Sequence, residues 1–178
     1  LVNLIMRFYE LDSGRITLFG IPAGQNRAYR RLIGYVPQVI ALSPRLTVRQ
    51  NLDFWASALG LSGKIRRAAV DEAIQLTHIQ DFVNKRVSRC SGGMARRANL
   101  AAGLVGSPSL MLLDEPTAGV DEDNREALLH AVRGMKQSGR MVVMVNHYRS
   151  EMEAVCDRVV TLRDGRLAEA PNDEIGER

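Results

Sequence analysis

The chain has 178 residues, 46% of them hydrophobic and 25% charged, with a formal net charge of +4. That apolar share builds a domain with a real core and excludes a disordered chain; the mild charge would suit a polyanion, but solvated surface arginines account for it as well. No apolar run approaches the roughly 20 residues of a bilayer-spanning helix, no stretch reads as a signal peptide, and the two cysteines, Cys90 and Cys156, are far apart without metal-ligand spacing, which suits packed thiols in a reducing cytosol.

Residues 1–11 (LVNLIMRFYEL) carry apolar side chains at helical spacing and read as the middle of a helix, as though the chain were a fragment. Asp12-Ser13-Gly14 predicts a turn, residues 16–19 a short strand ending at Gly20, residues 27–32 a short basic helix, and residues 33–36 a strand stopped by Pro37-Gln38. From about Leu46 to Val87 strand signals become rare. Helices are predicted at 47–59 and 62–76, with Thr47 and Ser62 as N-caps, and a short one near Asp81. A further helix follows Ser91-Gly92-Gly93 and ends near Val105, before Pro108. The remainder alternates: strand 110–113, helix 122–137, strand 141–145, helix 150–156, and strand 159–162 turned at Asp164-Gly165; residues 171–178 are polar.

Continuous apolar strands alternating with helices predict an α/β fold with a mostly parallel sheet covered on both faces. The α/β core is expected from residues 1–44 and 106–170, the helical insertion from 45–105, and a polar tail from 171–178. No internal repeat or low-complexity tract is present.

In such sheets ligands bind outside the carboxyl ends of the strands. Three predicted strands end in functional side chains: Gln38 after the first, Asp114 and Glu115 after LMLL, and His147 after MVVMV. A carboxylate there can support Mg²⁺ through its water shell, and a second can polarise an attacking water. Histidine can bond a phosphate oxygen, and glutamine can orient water or touch the metal. Taken singly, each has a plainer explanation: a turn glutamine, a helix-capping histidine, an acidic loop. Placed together after separate strands, they are the parts of a nucleotide-phosphate hydrolase. A second constellation, Cys90-Ser91-Gly92-Gly93-Met94, opens a helix: the serine can cap it, and the glycines leave backbone N–H groups bare toward an anion. An ordinary serine-capped helix fits that segment equally well.

With these motifs in order, the chain resembles the nucleotide-binding subunit of an ATP-binding cassette transporter. YVPQ (residues 35–38) resembles that family's Q-loop, CSGGM (90–94) its signature motif, LMLLDEP (110–116) its Walker B strand with the following glutamate, TAGVD (117–121) its D-loop, and His147 its switch histidine. SGGM with RRANLAAGL, and HYRSEMEAVCDRV, look most like the drug-export branch that works with ABC-2-type permeases, where methionine at the Met94 position is common.

The resemblance implies a P-loop NTPase-like sheet with an inserted helical subdomain. It also implies ATP and Mg²⁺ as ligands, a second nucleotide-binding subunit and a transmembrane permease as partners, no nucleic acid, and a cytoplasmic place on the inner face of the membrane. By it Glu115 is the general base and His147 the γ-phosphate contact. Asp114 and Gln38 are the metal-side residues, Ser91, Gly92, Gly93 and Met94 meet the partner's nucleotide, and Asp121 lies against the opposite subunit.

The family also needs the phosphate-gripping loop G-x-x-x-x-G-K-[ST], and none occurs in these residues. Gly60-Leu61-Ser62-Gly63-Lys64-Ile65 imitates it, but Ala58 replaces the leading glycine and Ile65 the hydroxyl. The expectation is that the chain starts just after that loop, that the sheet lacks its strand, and that residues 1–178 alone bind ATP poorly. Two alternatives stand beside this reading: a catalytically dead regulatory or structural subunit, and a non-transport ATPase of the same superfamily.

Overall fold

A computed structural model describes residues 1–24 and 27–168. Its centre is a three-stranded parallel sheet in the order β3 (Ile33–Val36), β4 (Leu110–Asp114), β5 (Met141–Val145), with Ile33 opposite Leu110 and Leu110 opposite Met141. Helix α1 (Val2–Ile5), the hairpin β1–β2 (Thr17–Leu18 and Ile21–Pro22) and α2 (Arg27–Arg31) precede it. Between β3 and β4 come α3 (Val48–Ala58), α4 (Gly63–Leu76), two 3-10 turns (Gln80–Phe82, Val87–Arg89) and α5 (Gly92–Leu104). Helix α6 (Glu122–Gln137) joins β4 to β5, and α7 (Arg149–Val155) leads to the hairpin β6–β7 (Leu162–Arg163, Arg166–Leu167).

The two-residue period of the strands divides the core. From β4, Met111 and Leu113 join a large cluster that includes Leu52, Ile79, Leu100 and Leu128, whereas Leu110 and Leu112 join Val2, Leu18 and Tyr29 on the other face. The flanking strands sort the same way: Val142 and Met144 pack on the first cluster, Val143 and Val145 on the second. The sheet is therefore covered on both faces, as the apolar runs predicted. Gly34 allows β3 to lie close to α5: a Cβ there would collide with the Gly103 carbonyl, Met111 Sδ and Pro108.

Three expectations need correction. The helix predicted over 1–11 stops after Ile5, because Arg7 turns into the left-handed region (φ 57°) and leaves Phe8 and Tyr9 exposed. The strand predicted at 16–19 is only Thr17–Leu18, and it turns at Phe19-Gly20 into a hairpin partner that the sequence reading did not foresee. The strand predicted at 159–162 does not join the sheet. Only its last residue is paired, within the β6–β7 hairpin, and Val160 and Leu162 stay about half exposed. The physical reason is a missing neighbour: a strand persists through ladder partners, and the free edge of β5 has no strand against it among the described residues. The tail over 171–178 lies outside the described residues.

Of the two predicted N-caps, Ser62 stands at the N-cap position of α4 but makes no side-chain capping bond, whereas Thr47 caps as read. Thr47 forms a full capping box with Gln50, and Ser91 Oγ accepts the Met94 N–H at 3.2 Å. Cys90 and Cys156 are free, partly buried thiols, and burial raises the pKa of both. Among the described residues no helix is long and apolar enough to cross a membrane.

Candidate functional site at the carboxyl edge of the sheet

Register brings the carboxyl ends of β3, β4 and β5 side by side, with Val36 opposite Leu113 and Asp114 opposite Val145. The loops leaving these ends carry Gln38, Glu115 and His147, and their side chains meet. Gln38 Nε2 donates to Glu115 Oε2 at 2.7 Å, and His147 Nε2 lies 2.6 Å from Glu115 Oε1. Glu115 is the hub. Its side chain is 21% exposed, against 80% for His147, so the imidazole closes the rim from the solvent side.

Glu115 is held in an unusual backbone state. Its φ is 47°, which costs a non-glycine residue roughly 1–3 kcal/mol and persists only where neighbours enforce it. The enforcing contact is the Glu115 N–H, which donates to the Val145 carbonyl at 2.9 Å just past the last rung of the β4–β5 ladder. With the backbone in this state the Glu115 side chain meets Gln38 and His147.

Asp114 ends β4 beside this hub. Its carboxylate makes no hydrogen bond or ion pair among the described residues, and its charge, after burial, is the second cause of the raised pKa of Tyr35. Gln38 spends its amide nitrogen on Glu115, and its oxygen makes no hydrogen bond among the described residues. One carboxylate and one amide oxygen form a hard-donor pair. Mg²⁺ takes one or two such protein oxygens and completes its octahedron with water and phosphate, so these residues fit that ion. No group of three or more His, Cys, Asp or Glu side chains able to hold a metal occurs among the described residues.

The segment 37–41 that carries Gln38 is gripped from α5. Asn99, only 2% exposed, accepts the Ala41 N–H at 2.9 Å and donates to the Pro37 carbonyl at 3.2 Å. One turn earlier, Arg96 Nη1 donates to the Gln38 carbonyl. Burial lowers the pKa of that guanidinium, and the nearby Glu115 charge opposes the shift. Sequence reading missed both residues. The available signal was an asparagine in the otherwise apolar run ANLAAGL.

The signature-like residues do not reach this rim; they open α5 at a separate surface. Ser91 and Gly92 are exposed, Gly93 is buried, and Met94 is half-buried against the large core cluster. Gly93 is covered by Asn124, whose side chain occupies the space a Cβ would need. Asn124 also bonds Asp121, the N-cap of α6, through its backbone N–H at 3.0 Å and its amide at 2.9 Å to each carboxylate oxygen. Those bonds lower the Asp121 pKa. Asp121 thus sits next to the start of α5 through Asn124, on the α5–α6 side of the molecule. Two surface cavities among the described residues, one against His78 and His130 and one against Ser109 and Arg140, are lined by none of these residues.

Carboxylate, amide and imidazole groups meet at the carboxyl edge of a parallel sheet covered by helices, and comparison with known proteins assigns this α/β fold to the ATP-binding cassette class. Over 93% of this chain and 68% of its own, the cbiO1 protein of Clostridium perfringens, part of the ABC transporter complex cbiONQ, superposes with a TM-score of 0.83 at 28% identity. The dimeric cassette MJ0796 bound to ADP and Pi shares the fold with a TM-score of 0.79 at 24% identity, over 93% of this chain and 76% of that one. The family model for the ABC transporter matches residues 1–118. The chain belongs to the ABC transporter family. It is 36% identical over 99% of its length to the Nod factor export ATP-binding protein I of Rhizobium etli, and 34% identical over 93% to the linearmycin resistance ATP-binding protein LnrL of Bacillus subtilis. It spans 57% and 54% of those two relatives.

Proposed function

We propose that the protein is the ATP-hydrolysing subunit of an export-type ABC transporter, a peripheral subunit on the cytoplasmic face of the membrane. It acts as a dimer with a second nucleotide-binding subunit, homo- or heteromeric, and drives a separate permease. The observation that carries this reading is the contact of Glu115 with Gln38 on one carboxylate oxygen and His147 on the other. Glu115 would take a proton from water, a reading supported by its two oxygens being engaged on either side, one accepting from Gln38 Nε2 and the other lying 2.6 Å from His147 Nε2. His147, reaching from the solvent side, would donate to the terminal phosphoryl group. Asp114 and the Gln38 oxygen would hold Mg²⁺, whose chemistry is to neutralise charge on the phosphate oxygens.

Ser91 and Gly92, exposed at the head of α5, would meet the nucleotide bound mainly by the other subunit, with the buried Gly93 and the half-buried Met94 shaping that turn. Asp121 would lie near the same junction. The backbone cradle for the phosphates is not among residues 1–178, so these residues alone should bind ATP weakly. Export rather than import rests on the names of the two relatives, both of which the chain resembles over nearly all its length. The segment between Ala41 and Asn51, beside the Gln38 loop, is the route by which a change at the rim would reach a permease. Intact Gln38 and His147, each in contact with Glu115, favour an active subunit over a dead one.

The test is phosphate release by the full-length protein and its Glu115→Gln variant. The variant should bind Mg-ATP normally while turnover falls by about 10²–10⁴-fold, the usual contribution of a positioned acid–base group. Undiminished phosphate release would remove Glu115 from the role of base.

A further inference from the structure

Behind the rim lies a buried carboxylate to which the hydrolytic reading assigns no part. Glu151 stands in α7 with its side chain 7% exposed. Its Oε2 accepts from Thr117 Oγ1 at 2.5 Å and from Asn146 Nδ2 at 2.7 Å, and the Asn146 amide also donates to Thr117 Oγ1 at 3.0 Å. Three side chains therefore close a ring. Thr117 follows Glu115 by two residues, and Asn146 immediately precedes His147. The two loops whose tips meet at 2.6 Å on the rim are thus fastened a second time beneath it.

A fourth group extends the ring. Arg125 Nε lies 3.2 Å from the other oxygen of Glu151; the geometry is a charge contact, since neither atom has an aligned hydrogen-bond partner. Arg125 also donates to Glu122 at 2.8 Å and to the Val120 carbonyl at 3.3 Å, and its guanidinium lies 5.7 Å from the centre of the Tyr148 ring. Burying a carboxylate is unfavourable unless charge and lone pairs are met. Here Oε2 takes its hydrogen bonds from the two rim loops and Oε1 has only the Arg125 charge beside it, so the position is specified by what it fastens and not by packing alone.

We propose that Glu151 is a positioning residue for hydrolysis. It locks Thr117 to Asn146 so that Glu115 and His147 stay at bonding distance, and through Arg125 it ties that pair to the first turns of α6. The inference rests on the hydrolase reading above. Glu151 touches no reacting atom, because Thr117 and Asn146 stand between it and the rim. Its effect is on geometry, and a misplacement of about 1 Å can cost about 100-fold in rate.

The experiment measures initial rates of phosphate release by the full-length protein over a range of Mg-ATP, with the unfolding midpoint of each variant recorded and assays run well below it. Thr117→Val keeps the shape and removes the hydroxyl; Glu151→Ala removes the acceptor; Glu151→Gln keeps one oxygen for both donors. Thr117→Val and Glu151→Ala should lower kcat by roughly 10–100-fold with KM little changed, as lost positioning requires, and Glu151→Gln should recover most of that loss. Unchanged kcat in folded Thr117→Val overturns the proposal, even with a lowered midpoint, since that is the mark of a packing role. A raised KM at constant kcat overturns it, and so does a Glu151→Gln variant as slow as Glu151→Ala. If Glu151→Ala does not fold, Thr117→Val decides alone. A wild-type protein that releases no phosphate would instead overturn the hydrolase reading itself, an outcome visible before any variant is compared.

Discussion

The helices between Val48 and Leu104 and the rim above the sheet are held together by opposite means. In the helical region the contacts are apolar and dense: Val48, Leu52, Ala56, Val70 and Ile79 are fully buried. Two of its helix starts, α3 and α5, are capped locally by Thr47 and Ser91. At the rim almost nothing is local. Gln38 and Glu115 are 77 residues apart, Asn99 reaches back 58 and 62 residues to Ala41 and Pro37, and Glu151 bonds Thr117 across 34. The first region supplies stability that tolerates exchange of one apolar side chain for another of its size. The second supplies geometry through single hydrogen bonds that no apolar side chain can replace. Damage to the first should appear in the unfolding midpoint, and damage to the second in the rate.

The hardest test of that division is Leu52→Ala. Leu52 is fully buried in α3, and emptying such a site costs about 2–5 kcal/mol, transfer and cavity terms together. The midpoint of chemical unfolding should fall by the corresponding amount, while phosphate release per folded molecule stays near wild type. A collapse of kcat in the folded fraction would show that the helical region also sets rim geometry and would erase the contrast.

Asn99→Ala sharpens the boundary, because Asn99 lies in the helical region but serves the rim. It leaves the Pro37 carbonyl and the Ala41 N–H without their partner, which costs about 1–3 kcal/mol where the groups stay buried. The loss should appear in both readouts. Stability should drop modestly, and amide hydrogen exchange should accelerate selectively over residues 37–41. Exchange that accelerates uniformly along the chain would mean that Asn99 fills space and does not grip the Gln38 loop.

The same contrast explains what the sequence disclosed. Strands 33–36 and 141–145, helix 122–137 and the Thr47 cap could be read from periodicity and capping chemistry, which are short-range signals. Gln38, Glu115 and His147 could be read as neighbours because a parallel sheet aligns the carboxyl ends of its strands, so strand ends far apart in sequence predict proximity. The residues that hold them could not. Glu151 occupies a helix position that would pass for a surface polar residue, and Asn99 stands out in an apolar run without naming what it bonds; only the packing of α5 and α7 against the loops assigns them partners. The failed strand at 159–162 has the same cause in reverse: its residues carry the apolar pattern, but pairing depends on a neighbour that no local pattern encodes. Helix 1–11 was overread because helical spacing continues through Phe8 and Tyr9 after the backbone has turned at Arg7.

The smallest expected effect lies where the two regions meet, at Asp121. Its carboxylate caps α6 and accepts the Asn124 backbone N–H and amide, and those bonds hold its pKa below the ordinary carboxylate value. A depressed folded-state pKa fixes the sign of the linkage. The stabilisation is complete above the unfolded value of about 3.9 and is lost as pH falls through the lower folded value, where protonation takes the charge off the cap. Asp121→Asn keeps a capping oxygen without a titrating group in this range, so the difference in thermal midpoint between wild type and variant isolates the effect from every other carboxylate. That difference should be flat near neutrality, shrink as the pH drops below about 4, and weaken with added salt because the group is exposed. A difference independent of pH would mean that the charge of Asp121 contributes nothing to the α6 start, leaving the capping geometry, shared by aspartate and asparagine, to hold Asn124 over Gly93.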